Sequence, residues 1–221
     1  MSSRQEEKEK RKAERLERER AEQAAAKRKR LLQIGGGAAV AVVVVAGVAL
    51  AVVGGGGSNR PDDTAVKAAA TAAGCTYKAF PEEGRGHVTT TLTPKNFKTN
   101  PPTSGNHNPN PAQDGEYAAG SEPKIENWVH TLEHGRVILQ YTPNAPAGTV
   151  TALQRLFREP VLDSGNSYHM LLMQNNTSMP FETAAVAWRH YMGCKDAGPA
   201  SVKALRTFRD RFVDKGPEFI P

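Results

Sequence analysis

The longest apolar run in the chain is LLQIGGGAAVAVVVVAGVALAVV, residues 31–53, with no charge and a single Gln. At about 1.5 Å per residue it reaches across a hydrocarbon core of roughly 30 Å. It keeps no polar face, as a helix on the surface of a soluble core does. The pattern therefore predicts a transmembrane helix over 31–53. The preceding residues, 1–30, are rich in Glu, Lys, Arg and Ala and have no apolar stripe. Opposite charges at helical spacing, Glu7 with Arg11 and Glu14 with Arg18, predict a solvated, partly helical tail. Lys27, Arg28, Lys29 and Arg30 abut the apolar run and place the tail in the cytoplasm and everything after residue 53 outside. The same cations suit membrane lipid with anionic headgroups. A cleavable signal peptide is the rival reading, with small residues at Ala49 and Ala51. The run exceeds the usual 7–15 residues of such a signal's apolar core, which favours an uncleaved, single-pass anchor in the cell membrane.

Past a Gly-rich linker over 54–61 the pattern changes to that of a folded extracytoplasmic domain, residues 62–221. Asp62 and Asp63 precede the Ala-rich helix TAVKAAATAA, which Gly74 ends. CTYKAF reads as a short strand. Residues 93–123 form a long loop dense in Pro, Asn, Gly and Ser, a length that in compact domains marks function or disorder. RVILQY (136–141) is a buried strand. PAGTVTALQRLFRE is an amphipathic helix with Val150, Leu153, Leu156 and Phe157 on one side. SYHMLLMQ is a further strand, and ETAAVAWRHYM starts strand-like and becomes ambiguous. SVKALRTFRDRF is a helix with Val202, Leu205, Phe208 and Phe212 on its apolar face. The order predicts an α+β fold: a membrane helix, then a small-sheet α+β sandwich with helices packed on the sheet.

Charge removes one class of function. The net charge is +6 and the pI about 9.4, but residues 1–30 hold 12 of the 29 Lys and Arg against 7 of the 23 Asp and Glu. Five of the six net positive charges thus sit in the tail, and the domain carries no basic surface for tracking phosphates, so no nucleic-acid partner is expected.

Cys75 and Cys194 are the only cysteines. Outside the cell they are expected to pair as a disulfide; the alternative is two unpaired small hydrophobes. Closing that loop stabilises a fold by roughly 4–5 kcal/mol in the chain-entropy model.

The histidines raise the question of chemistry. All six, at 87, 107, 130, 134, 169 and 190, lie in the domain. HTLEHG, residues 130–135, has the H-x-x-E-H spelling of a zinc-peptidase motif. That chemistry needs a substantial helix and an acidic ligand from another one. Here Gly135 follows His134 at once and a strand begins, so the segment reads as at most two turns of helix, or a hairpin. His130 and His134, four apart, put two imidazoles on one side with Glu133 beside them. His107, in the stiff loop NPPTSGNHNP, supplies a third. His107, His130 and His134, with Glu133 as ligand or orienting partner, are the candidate metal set, suited to Zn or Cu. Met170, Met173 and Met179 offer soft copper ligands, but methionines on an apolar strand are more often core, and Met170 and Met173 point to opposite faces. A non-catalytic envelope interaction module with an envelope protein partner, and a hydrolase using metal-bound water, are the competing readings. No catalytic residue is assigned.

PPTSGNH (101–107), WVHTLEHGRVILQY (128–141) and AVAWRHYMGC (185–194), together with the basic N-terminus and apolar segment, resemble the bacterial domain of unknown function 3105 family. The likeness runs over roughly 74–194. It implies the module boundaries and the extracytoplasmic placement, and brings no activity, substrate or cofactor.

Overall fold

The computed structural model describes residues 60–218 and 220. The expected cytoplasmic tail (1–30), the membrane helix (31–53) and nearly all of the linker lie outside them. Among the described residues no helix is long and apolar enough to cross a membrane.

The domain is mixed α+β, with one six-stranded sheet and four α-helices. The first helix, α1 (Asp63–Ala73), is capped by the Asp62 carboxylate, which accepts from the Ala65 amide at 2.7 Å. It ends at Gly74, whose φ of 64° lets Cys75 N–H turn back to the Ala70 carbonyl. The strands follow as β1 (Thr76–Ala79), β2 (Gly115–Glu116), β3 (Val137–Tyr141), β4 (Met170–Gln174), β5 (Thr183–Ala187) and β6 (His190–Cys194). Three further helices, α2 (Ile125–Glu133), α3 (Ala147–Phe157) and α4 (Pro199–Phe212), lie between and after them.

Spatial order in the sheet is β1-β6-β5-β3-β4-β2. β3 and β4 are parallel, joined by α3 as the crossover helix that a parallel pair needs. β5 runs antiparallel to both β3 and β6.

Helices cover both faces, which is why β3 and β5 are buried at every position. Val137, Leu139, Met170, Leu172 and Met192 face α1, α3 and α4. Ile138, Leu171, Met173, Val186 and Tyr191 face the other way, onto Trp128, Val129 and Leu132 of α2. Met170 and Met173 therefore part to opposite faces, as their odd spacing requires. The expected sandwich is thus wider and more mixed than the sequence suggests. ETAAVAWRHYM resolves into the hairpin β5–β6, and β2 extends the far edge. Cys75 and Cys194 form a disulfide, Cα atoms 4.4 Å apart, joining the head of β1 to the end of β6.

Two segments position the site. α2 ends at Glu133, and Gly135, at φ 81°, reverses the chain into β3. That backbone region is costly for other residues, and a Cβ there would also lie 2.9 Å from Asp214 Cα. HTLEHG is accordingly the end of a nine-residue helix followed by a glycine turn, and not a hairpin. The loop before α2 lies over that helix. Its residues 84–88 run alongside 105–107, with Gly105 N–H donating to Gly84 O, His107 N–H to Gly86 O and Val88 N–H to His107 O. Asn108 and Ala112 N–H then reach the Glu126 and Asn127 carbonyls.

Candidate metal centre

The last turn of α2 points His130 and Glu133 away from the sheet and toward the draped loop. There His87, His107, His130 and Glu133 each offer one ligand atom, all within 4.8 Å of one another. Ring centroids are 4.6 Å apart for His107 and His130, 4.9 Å for His87 and His130, and 5.2 Å for His87 and His107. Of the set expected from the sequence, His107, His130 and Glu133 come together. His134 does not join them. It falls one turn further on, in a second group with His130 and Glu218.

Two imidazoles are oriented by backbone carbonyls. His107 Nδ1 lies 2.8 Å from Gly105 O and His130 Nδ1 2.6 Å from Asn108 O. A carbonyl only accepts, so each Nδ1 carries the hydrogen and donates it. Each neutral ring then presents a bare Nε2 lone pair, the arrangement that fixes a histidine's tautomer for metal binding.

His107 has no exposed surface, and its Nε2 lies 2.9 Å from Glu133 Oε2. Close as it is, this contact lacks hydrogen-bond geometry, and Nε2 is a buried polar atom without a partner. A lone pair and a carboxylate oxygen facing each other repel unless a proton or a metal cation lies between them. Two ligands bound to one tetrahedral ion at 2.0–2.1 Å sit about 3.3 Å apart, close to this spacing. Buried groups left unsatisfied in this way call for a specific explanation.

The electrostatics fit. Burial above all holds the His107, His130 and His134 imidazoles below the ordinary value of 6.5, so they are neutral at physiological pH. Burial, reinforced by Glu218, raises the Glu133 carboxyl. In each case the charged form is disfavoured by the protein alone, and a bound cation would reverse that for Glu133. The donor set is imidazole nitrogen with one carboxylate oxygen and no sulfur. It suits Zn, Cu(II) and similar ions. The methionines take no part: Met170, Met173 and Met179 are buried in the apolar cores.

His169 and His190 are apart from both groups. His169 Nδ1 meets Asp214 at 2.6 Å, and His190 stacks on Phe212 with ring centroids 4.3 Å apart. The sequence reading missed His87 and Glu218. His87 follows Gly84 and Gly86, where a Cβ would press on the Asn106 side chain, and that glycine spacing is the one sequence sign that the loop approaches another segment closely.

Comparison with known proteins agrees with the early resemblance. The family described as "Protein of unknown function (DUF3105)" matches residues 87–218, a segment that contains every member of both ligand groups. No curated protein and no solved structure matches the chain.

Proposed function

The chain belongs to the DUF3105 family, which carries no assigned activity, and from the site itself we propose that this is a membrane-anchored protein whose extracytoplasmic domain binds a transition-metal ion. The ligands are His87, His107, His130 and Glu133, and the ion is Zn or Cu(II). The observation that carries the reading is the fully buried, unpartnered Nε2 of His107 facing the Glu133 carboxylate at 2.9 Å. The anchor is supported by the uncharged run over 31–53 behind four consecutive cations.

Holding an ion is favoured over turning a substrate over. With all four donors bound, a tetrahedral ion has no position left for water, the pattern of structural rather than catalytic zinc. Elemental analysis of the purified full-length chain, dialysed against zinc or copper and then against metal-free buffer, tests the proposal. Stoichiometric metal in the wild type and its loss from His107→Ala are expected. A wild type that retains none overturns it.

A further inference from the structure

We propose that His134 and Glu218 form, with His130, an outer ligand group through which an ion enters and leaves the inner one, His130 being the ligand common to both. This rests on the reading that the inner group holds a metal ion. One ligand atom from each of His130, His134 and Glu218 lies within 4.8 Å of the others. His134 Nε2 is 3.2 Å from Glu218 Oε2, and the His130 and His134 rings are 4.4 Å apart. His87 aside, exposure rises from the inner residues to those that only the outer group holds. The side chains of His107 and Glu133 are 0% and 6% accessible, those of His134 and Glu218 12% and 51%.

The two positions are alternatives and not a dinuclear centre. His130 Nδ1 is committed to the Asn108 carbonyl, so one lone pair serves one ion at a time. An ion held at His134 and Glu218 moves inward by exchanging ligands. Its bonds to those two side chains and to a remaining water break as bonds to His87, His107 and Glu133 form, and His130 Nε2 stays attached. No electron or proton need move, and the ion keeps its charge. The backbone fixes the spacing between the groups: Glu218 N–H donates to the carbonyl of Glu133, itself an inner ligand, at 3.1 Å, and Asp214 N–H donates to Gly135 O at 2.8 Å. Glu218 also places a carboxylate where an arriving cation meets the protein, which raises capture rates in such clefts. His87 too reaches solvent, so entry past His87 is the route the experiment must tell apart.

The test is kinetic and uses the full-length chain. Co²⁺ alone is mixed with metal-free protein in a stopped-flow instrument, its visible absorbance following coordination, and a chelator then removes it. In Glu218→Gln and His134→Gln, loading and removal are both expected to slow by about tenfold, the low end of what a focusing charge contributes to capture. The dissociation constant stays as in wild type, because the path changes and the end states do not. Glu218 is half exposed, so its variant reports even where His134→Gln folds poorly. Rates equal to wild type overturn the proposal in favour of entry past His87. A weakened dissociation constant with unchanged loading overturns it by making the two residues inner ligands. A wild type that binds no Co²⁺ overturns the metal site itself, and the outer group with it.

Discussion

His107 concentrates the chemistry of this protein in one ring. Its Nδ1 is committed to Gly105 O, its Nε2 faces Glu133, and none of its surface meets water. Replacing a ligand removes more than a supporting contact does, and supporting contacts alone are worth about 10–100-fold in metal affinity. His107→Ala and His130→Ala are therefore each expected to weaken binding by more than about 100-fold, read by competition with a chromophoric chelator. His169→Ala, whose ring belongs to neither ligand group, leaves affinity as it is.

The same histidines set a pH dependence in the metal-free protein. Their folded pKa lies below 6.5 because burial disfavours the imidazolium, and His190 is displaced the same way for the same cause. As pH falls below 6.5 the unfolded chain takes up protons that the folded one refuses, so unfolding free energy falls. Glu133, raised by burial, acts in the opposite sense, since the unfolded chain releases its proton first as pH rises above 4.5. With four imidazoles against one carboxyl, urea midpoints of metal-free protein are expected to drop between neutral pH and the pH where the buried rings finally charge. A flat profile would contradict this.

Among the elements, the turn after α2 is the one on which the site depends. The segment from Asp214 to Glu218 packs against it so closely that a Cβ at Gly216 would collide with the Glu133 carbonyl and the Gly135 amide. Both are backbone atoms that cannot swing aside. Gly216→Ala is expected to cost about 1–3 kcal/mol, the usual scale of overpacking, and to make residues 214–218 the first point of cleavage in limited proteolysis. How well each element was legible follows from its local signals. α1 carries Asp62 and Gly74 at its ends, α4 a repeating apolar face, and β3 an unbroken apolar run. α2 starts at Ile125 behind Lys124, which makes no side-chain cap, so nothing local marked its beginning and its length was underestimated. The β5–β6 hairpin turns through Trp188 and Arg189, with Arg189 at φ 64°. Neither is a turn-forming residue, and the two strands therefore read as one ambiguous stretch. The histidine pair four apart was visible from helical periodicity. His87 and Glu218 were not, because long-range backbone pairing brings them in and no spacing in the sequence encodes it.

For the whole molecule, the disulfide carries the largest single expectation. It links β1 and β6 across 119 positions, and removing a native disulfide typically costs about 2–5 kcal/mol. The Cys75→Ala/Cys194→Ala double variant should lose that much in chemical denaturation while keeping its fold at low temperature. The membrane arrangement is tested separately. Protease added to intact spheroplasts is expected to remove the domain from residue 58 onward and spare the charged tail; a protected domain would refute the anchor's orientation.

The place of Glu218 in the chain also bears on biosynthesis. Every strand and helix of the domain precedes residues 214–218, yet this stretch pairs with the end of α2 and carries an outer ligand. As the polypeptide emerges, His87, His107, His130 and Glu133 all precede the segment that packs on the end of α2. A nascent chain thus has all four inner ligands before it has the outer carboxylate of Glu218. A tag fused close behind Glu218 would stand beside the outer group, and is expected to slow metal loading while leaving the amount bound at equilibrium as in the native chain.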